Sequence, residues 1–482
     1  MRTHAPMTHI IRSSILLLLA LSVLLTPNAL AQDEPAVEES AAQPATNDAP
    51  GFVVRQASVD DDGFATLGDL DNPDLKTYLE FTTYGAGIEA IRLPDEFETV
   101  KFEKHITLQE TQVNANGVRA VPFAAISIVI DAEPVEIVGS EASPLWTELS
   151  PGVFELFIDD AEGTPVLRLE RRFELKPENR HGFILTEVIE NLDNQPHRVV
   201  LNTTAMIDMP KAESTYGGDR RRVRYGYLRA QEQQGTSKQV SVDDKLYSRN
   251  KLLGKREEAA YGKAYQPALQ VWPNEELLPN SQRLSWIGFT DRYFAVLIHP
   301  VFETDSIQSA DEKLLTGIAR IDRYVLDPYA QSLDTVQVLG LQGEQVEIEP
   351  GASYTRSMGI YAGMRNKPIM NSEPVIAALN MPEMVVSNLG GICAPCTFQW
   401  LSHILIDVLR TFHMIVGDWA IAIVLLVFLV RACLHPVTRW SQIRVQKFSV
   451  QMQSMGPKQK AIKEKYKDDS KRQQQEMAKL WK

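Results

Sequence analysis

The sequence predicts a multidomain membrane protein, in which a large antiparallel β-sandwich precedes a short α-helical membrane region. Short apolar runs separated by turn residues fill residues 51–365, and one apolar run of membrane-spanning character, Ala420–Val430, follows them. Charge is also divided unequally. From Pro436 onward the chain has 12 Lys and Arg against 4 Asp and Glu, although its overall net charge is −13. Basic flanks stay in the cytoplasm, so the tail is predicted cytoplasmic and the acidic bulk exported.

Residues 1–31 predict a signal peptide or an N-terminal anchor. A positively charged start precedes the apolar core Ile15–Leu25, and Ala29-Leu30-Ala31 is typical of a cleavage site. The core falls short of the roughly 20 apolar residues that a stable span needs, which favours cleavage. Residues 32–50 are rich in Ala, Pro, Glu and Asp and predict a disordered acidic linker.

The exported region, residues 51–365, has the pattern of a β-sandwich. Tyr78–Leu93 places strand-like residues on both sides of Gly85-Ala86-Gly87. Further β-rich runs are Ala124–Ile130, Val166–Leu169, Phe183–Ile189 and Val199–Thr203. Many short strands without alternating helices favour an antiparallel arrangement.

One polar segment, Glu213–Tyr265, interrupts this pattern and contains Arg220-Arg221-Arg222. The simplest prediction is a solvated surface excursion, because Asp243, Asp244 and nearby glutamates dilute the basic patch. A docking site for anionic lipid or a partner is the alternative.

Sandwiches of this size also occur in sugar-converting enzymes, which need a convergent pair of His and Glu as acid and base. The exported region has four histidines, and none lies in a recognisable motif. They are His105, His181, His197 and His299. A structural or surface role is predicted for each, and no catalytic residue is assigned.

Residues 366–396 predict a connector that ends in the pair Cys393 and Cys396. A C-x-x-C pair can bind metal or undergo redox chemistry. Zinc would need two more ligands, for which His403 and His413 are the nearest candidates. A structural disulfide or unpaired thiols near lipid are simpler, so no metal site is predicted.

Two helical elements follow the connector. Residues 397–415 carry apolar residues at helical spacing and predict an amphipathic helix, which lies either in the membrane interface or against the exported domain. Gly417-Asp418 predicts the turn into the span. Residues 416–437 predict a transmembrane helix, with Trp419 as an interfacial anchor. Arg431 lies 12 residues past Trp419, about 18 Å along a helix. Its side chain either extends to the headgroups or faces a water-filled cavity.

The tail, residues 438–482, predicts a basic cytoplasmic helical hairpin. Gly456-Pro457 predicts a break within the first part, and Asp468-Asp469-Ser470 predicts the turn before the last helix. Anionic lipid, a partner helix and ribosomal RNA are the candidate ligands of such a surface, and a solvated helix is the simpler alternative.

The segment Asp418–Ser441, DWAIAIVLLVFLVRACLHPVTRWS, resembles the first core span of the YidC/Oxa family of membrane protein insertases. The shared pattern is an apolar helix with Val-Arg, an apolar-Pro-apolar-Thr step and a basic stretch. Residues 452–482 resemble the family's cytoplasmic hairpin, including Lys-Tyr-Lys-Asp-Asp at its turn. Leu284–Pro300 and Tyr78–Leu93 are similar, more weakly, to its exported domain.

The resemblance implies a β-supersandwich in the periplasm, an inner-membrane location and a five-helix insertase core. It implies that Arg431 lines a hydrophilic groove that attracts polar or acidic parts of nascent membrane proteins. The implied partners are nascent membrane proteins, membrane lipid, the Sec translocon and the ribosome, but not DNA. No enzymatic step, metal or other cofactor is implied.

The family core has four further spans, whereas this sequence stops at Lys482, so a truncated chain is expected. The alternative is a single-span periplasmic binding protein for carbohydrate or a protein partner, anchored by its C-terminal helix. A sugar-converting enzyme is the third hypothesis.

Overall fold

The structure is a computed structural model. It describes residues 51–57, 63–72, 75–140, 142–176, 179–211, 220–229, 239–242, 247–248, 268–274, 282–326, 335–385, 399–466 and 470–480. The predicted signal segment, the predicted acidic linker and the pair Cys393 and Cys396 lie outside these residues.

The described residues form 23 strands, three short 3-10 helices and five α-helices. The strands are β1 (Phe52–Val54), β2 (Tyr78–Thr82), β3 (Gly87–Phe97), β4 (His105–Glu110), β5 (Gln112–Val113), β6 (Arg119–Ala120), β7 (Ala125–Ile130), β8 (Glu133–Glu136), β9 (Thr147–Ser150), β10 (Val153–Asp160), β11 (Pro165–Lys176), β12 (Asn179–Asn191), β13 (His197–Ile207), β14 (Arg222–Arg229), β15 (Ser241–Val242), β16 (Tyr247–Ser248), β17 (Ala268–Trp272), β18 (Gln282–Thr290), β19 (Phe294–His299), β20 (Ile318–Val325), β21 (Gln337–Gly343), β22 (Val346–Ile348) and β23 (Ser353–Met364). The 3-10 helices are Thr304–Ser306, Ala310–Lys313 and Met381–Met384, and the α-helices are α1 (Lys367–Ser372), α2 (Pro374–Ala378), α3 (Gln399–Val416), α4 (Trp419–Lys465) and α5 (Ser470–Leu480).

Two large antiparallel sheets confirm the predicted sandwich. The first has 11 strands in the order β1-β10-β11-β12-β23-β19-β18-β14-β15, with β9 and β16 paired at its sides. The second has 7 strands in the order β17-β20-β21-β13-β7-β8, with β22 also paired to β13. A 3-stranded sheet, β2-β3-β4, contains the predicted strand-Gly-strand unit. All strand pairs are antiparallel, as the absence of alternating helices predicted.

The main core forms from strand faces that alternate between buried and open positions. In β13, Val199 and Leu201 are buried, whereas Arg198 and Val200 point to the other face. Buried residues of both large sheets and of the 3-stranded sheet join in one hydrophobic cluster. One contiguous cluster of this kind is typical of the core of a single domain.

Strand β14 corrects the prediction for Glu213–Tyr265. The described part of this segment is not a solvated excursion, because β14 pairs with β18 along its whole length. Val223 and Tyr225 are buried in the main core. Arg224 is also buried, and it donates to the carbonyl oxygen of Met384 at 2.7 Å. Arg221, one of the three arginines that suggested a surface patch, is buried as well and lies 3.7 Å from Asp208.

Residues 367–384, part of the predicted connector, pack against the outer face of the 11-stranded sheet. Met370, Ile376 and Leu379 are fully buried there, beside Trp286 of β18. The indole Nε1 of Trp286 donates to the carbonyl oxygen of Leu379 at 3.1 Å. We call residues 367–384 the strap, since they cover this face and hydrogen-bond to it.

A buried ion network links three neighbouring strands of the same sheet. Arg171, Glu187 and Arg356 stand opposite one another on β11, β12 and β23. Glu187 accepts from Arg356 at 2.6 Å and from Arg171 at 3.2 Å. Burial would raise the pKa of the Glu187 carboxyl, but Arg356 and Arg171 outweigh it and hold that pKa below its usual value.

Candidate functional site on the membrane helix

Helices α3 and α4 meet at the turn that the sequence predicts. Gly417 has φ +75°, a conformation that glycine adopts without steric cost, and its N–H donates to the carbonyl oxygen of His413. The Asp418 carboxylate then caps α4 by accepting from the N–H of Ile421 at 3.0 Å. The His413 ring stacks on Trp419, with centroids 3.8 Å apart. These contacts fix where α4 begins.

Helix α4 carries a stretch that is long and apolar enough to cross a membrane, the single such helix among the described residues. Only 6% of that stretch is buried within the protein. Val424 and Phe428 are 66% and 73% exposed, unlike the side chains of the sandwich core. Apolar surface of this extent needs an apolar environment, which the length and composition of the helix match to lipid.

Arg431, the sequence-predicted site residue, lies within this apolar stretch and is exposed. Helix α4 continues through Pro436, although proline removes one backbone donor from the helix. The Thr438 hydroxyl lies within hydrogen-bonding distance of the carbonyl oxygens of Leu434 and His435, at 3.0 and 2.9 Å. The guanidinium therefore extends from a continuous helix into space that the described residues do not fill.

Two tryptophans mark the ends of the apolar stretch. Trp419 and Trp440 are 21 residues apart, about 32 Å along a helix that rises 1.5 Å per residue. This length corresponds to the hydrocarbon thickness of a bilayer, about 30 Å. Arg431 then lies just past the middle of the span. At that depth, extension of its side chain to the headgroups is harder than it is near a helix end.

The tail contains one predicted break that is wrong. Helix α4 is continuous from Trp419 to Lys465 and passes through Pro457, where the sequence predicted a break. Helix α5 begins at Ser470, which agrees with the predicted helix start, although the turn residues 467–469 lie outside the described residues.

Sequence reasoning also missed a contact at the end of the span. The Arg444 guanidinium lies 3.6 Å from the Trp440 ring centroid, an i, i+4 pair that spacing alone could have suggested.

The four histidines of the sandwich lie on four different strands and do not converge. His299 is buried and contacts the carbonyl oxygen of Pro300, and burial lowers its pKa to about 4. His181 contacts Glu373 of the strap at 2.9 Å. This is a His–Glu pair that the sequence analysis did not find. Both side chains are largely enclosed, however, so the pair serves the strap contact rather than an open acid–base site.

His197 lies between two carboxylates. Its Nδ1 is 2.6 Å from Asp131 and its Nε2 is 3.0 Å from Asp193. Burial opposes the charged ring, but these two partners outweigh it and raise the pKa of His197. The cluster connects the turn before β13 to the turn between β7 and β8.

A hollow of about 640 Å³ lies beside this cluster, on the outer face of the second sheet. Val129 and Val200 contribute apolar surface, and Arg198 and Glu347 form an ion pair at its edge with a distance of 2.9 Å. The described residues that line the hollow include no histidine. The hollow therefore offers a polar and apolar binding surface.

Comparisons with known proteins agree with the resemblance in the C-terminal sequence. Residues 411–482 match the family described as the 60Kd inner membrane protein. A curated relative, the membrane protein insertase YidC of Pseudoalteromonas atlantica, is 27% identical over 145 residues, which cover 30% of this chain and 24% of the relative. The YidC of Caulobacter vibrioides is 25% identical over 236 residues, which cover 47% of this chain and 34% of that protein.

The matched segments thus span about a quarter to a third of the length of these relatives. Among solved structures, a galactose mutarotase-like protein from Lactobacillus casei aligns with 62% of this chain and 100% of its own, at 9% identity and a TM-score of 0.35. The relationship to the YidC/Oxa family of membrane protein insertases, predicted from the sequence motifs, is confirmed. The description of the matched family is that of an inner membrane protein.

Proposed function

We propose that the protein is a membrane protein insertase and chaperone, in which Arg431 supplies positive charge to a hydrophilic groove. One observation carries the proposal: an exposed arginine lies near the middle of an apolar helix, within the segment that the family model matches. A charge at that depth is costly unless it faces water or an opposite charge. A groove open to the cytoplasm and to lipid provides both.

The proposed groove lowers the barrier for the polar part of a nascent membrane protein. A cation in a partly desolvated cavity attracts carboxylates more strongly than it does in water, because the local dielectric constant is lower. Hydrophobic segments of the same substrate can then leave sideways into lipid. The step is a transfer between environments, so neither a catalytic residue nor a cofactor is required.

We further propose an arrangement of the chain around the membrane. The sandwich and the strap lie in the periplasm, and α3 lies in the interface. The span begins at Trp419, where α4 begins, rather than at the predicted residue 416, and it ends at Trp440. The residues after Trp440 are cytoplasmic. Leu401 and Ile404 of α3 are 41% and 49% exposed, which supports the interfacial position over packing on the sandwich. The Sec translocon and the ribosome are the proposed partners on the two sides.

The test uses cells that have been depleted of their own insertase. It measures whether the complete gene product that carries this sequence restores the insertion of membrane proteins. Arg431→Ala should lower insertion of a substrate with an acidic translocated tail by about tenfold, equivalent to about 1.4 kcal/mol. Arg431→Lys should restore most of it, because the charge returns. Arg439→Ala removes the same charge next to Trp440, at the end of the span rather than near its middle, and serves as the matched control. Undiminished insertion with Arg431→Ala would contradict the groove role.

A periplasmic binding protein anchored by α4 is the second candidate, and the hollow beside Arg198 favours it. Its apolar surface and its Arg198–Glu347 pair suit a carbohydrate or an exposed protein segment. Under this hypothesis, Val200→Arg would abolish function while Arg431→Ala would not. The insertase proposal expects the opposite result.

A further inference from the structure

The described helix α4 has a second charged feature, on the face opposite Arg431. Nine residues separate Arg431 from Trp440, and at 3.6 residues per turn this places their side chains about 180° apart around the axis. Arg444 and Lys447 follow Trp440 by four and seven residues, so all three side chains share one face. All three are exposed.

The geometry of this face is partly set before any ligand arrives. The Arg444 guanidinium lies over the Trp440 ring, 3.6 Å from its centroid. Stacking restricts the long arginine side chain, while the edges of the planar guanidinium remain available as hydrogen-bond donors. Such a fork matches the paired oxygens of a phosphate group. Lys447, one turn further on, adds a flexible point charge.

The depth of this face along α4 favours a phosphate that belongs to a lipid headgroup over one that belongs to RNA. Trp440 lies about 32 Å from Trp419 along α4, which puts it where the hydrocarbon of a bilayer ends and the headgroups begin. Apolar side chains accompany the basic ones, since Ile443 and Phe448 are 42% and 57% exposed. No Asp or Glu occurs in the sequence from Trp419 to Lys463. Mixed apolar and cationic character at this depth suits a lipid surface better than RNA, whose phosphates bind fully hydrated basic patches.

We propose that Trp440, Arg444 and Lys447 form a binding site for the headgroup of an anionic phospholipid. The site requires only that α4 crosses the bilayer and does not depend on the groove, which lies on the other side of the helix. A bound headgroup would fix the depth and the rotation of α4. Arg431 would then be held facing away from bulk lipid.

The experiment uses the full chain reconstituted in phosphatidylcholine vesicles. Spin-labelled phosphatidylglycerol and spin-labelled phosphatidylcholine are compared by electron paramagnetic resonance, and the ratio of their association constants is measured. Arg444→Gln and Lys447→Gln should each lower this ratio about fivefold, the effect of one basic residue close to an anionic surface. Arg439→Gln removes an equal charge from a position about 100° from Trp440 around the helix axis. This variant should change the ratio of association constants less than twofold.

Two results would overturn the site. If Arg439→Gln lowers the ratio as much as Arg444→Gln does, the selectivity comes from diffuse charge. If Arg444→Gln and Lys447→Gln leave the ratio unchanged but weaken binding to ribosomal RNA, the ligand is RNA. A third comparison tests the stacked pair, because Arg444→Gln in a Trp440→Leu background should lower the ratio less than twofold. A full fivefold effect there would show that the ring does not organise the site.

Discussion

The arginines of the sandwich and the arginine within the apolar stretch of helix α4 lie in opposite environments. In the sandwich, Arg171 and Arg356 are almost fully enclosed and share the carboxylate of Glu187, and Arg171 also donates to three backbone carbonyl oxygens. In α4, Arg431 is exposed and surrounded along the helix by exposed apolar side chains. The same residue type completes a fold in one region and projects from it in the other.

This difference shows which region depends on its surroundings. The sandwich buries its apolar residues, and its Arg171–Glu187–Arg356 network pairs buried charges with one another, so neither depends on a membrane. Helix α4 exposes its apolar stretch together with the charge of Arg431, and the described residues cover neither. Function that needs a membrane or a substrate is therefore expected in the second region. Substitutions can test whether the two regions are energetically as separate as the contacts indicate.

The largest effect is expected from removing the carboxylate that the two buried arginines share. Glu187→Ala leaves two positive charges enclosed without their partner, which typically costs about 3–5 kcal/mol in free energy of unfolding. Urea unfolding of the full chain in detergent, followed by the fluorescence of the buried Trp146 and Trp286, measures it. The control is Glu347→Ala, which breaks the exposed pair with Arg198 and should cost less than about 1 kcal/mol. Similar losses for both variants would show that the buried network is not special.

A smaller loss is expected in the strap, where the sandwich leads toward the membrane. Met370 is fully buried, and Met370→Ala should lower the free energy of unfolding by about 2–3 kcal/mol. This is the lower part of the usual range, because the neighbouring Met381 can relax into the space. Lys367→Ala removes an exposed pair with Glu383 in the same segment and should have little effect. An unchanged urea midpoint for Met370→Ala would show that the strap is a connector that does not stabilise the sandwich.

The sequence predicted the parts of the fold that depend on neighbours in the chain. The β2–β3 unit was recognised because two apolar alternations surround a glycine turn, and Gly85 indeed has φ +63°. The turn at Gly417 and the apolar character of α4 are equally local. Arg431 could be singled out for the same reason, since a single charge within an apolar run is visible in one dimension.

The errors concern features that depend on distant partners or on solvent. Strand β14 looks polar in sequence, but its Arg224 is satisfied by Met384, 160 residues away, and no local pattern reveals such a contact. The helix break predicted at Pro457 does not occur. A proline removes one helical hydrogen bond, and on an exposed helix water can satisfy the carbonyl oxygen of Gln453 that loses its donor.

A pH-dependent effect of about 1 kcal/mol is expected at His197, between Asp131 and Asp193. The folded state raises the pKa of His197, so its stabilising contribution is complete below the unfolded value of about 6.5 and is lost as pH rises through the folded pKa. The difference in unfolding free energy between the wild type and His197→Gln should therefore shrink from pH 6 to pH 8. Urea unfolding at each pH measures it.

His299 provides a control of opposite sign. Its folded pKa is lowered to about 4, so the unfolded chain takes up a proton first as the pH falls below about 6.5. The stability of the wild type relative to His299→Leu should then decrease from pH 6.5 toward pH 4. Equal trends for the two histidines would show that general acid destabilisation, rather than their separate environments, controls the profile.

The smallest effect on stability is expected at Arg431, the residue on which the proposed function rests. Arg431→Leu should change the urea midpoint of the sandwich by less than about 0.5 kcal/mol in equivalent free energy, because the side chain is exposed on a helix outside the sandwich core. The same unfolding experiment used for Glu187→Ala measures it, with that variant as the positive control. A loss as large as that of Met370→Ala would mean that the strap couples the span to the sandwich, and the two regions would then form one energetic unit. If Arg431→Leu leaves the urea midpoint unchanged but insertion is lost, Arg431 acts on the substrate and not on the stability of the fold. This is the result that the groove role requires.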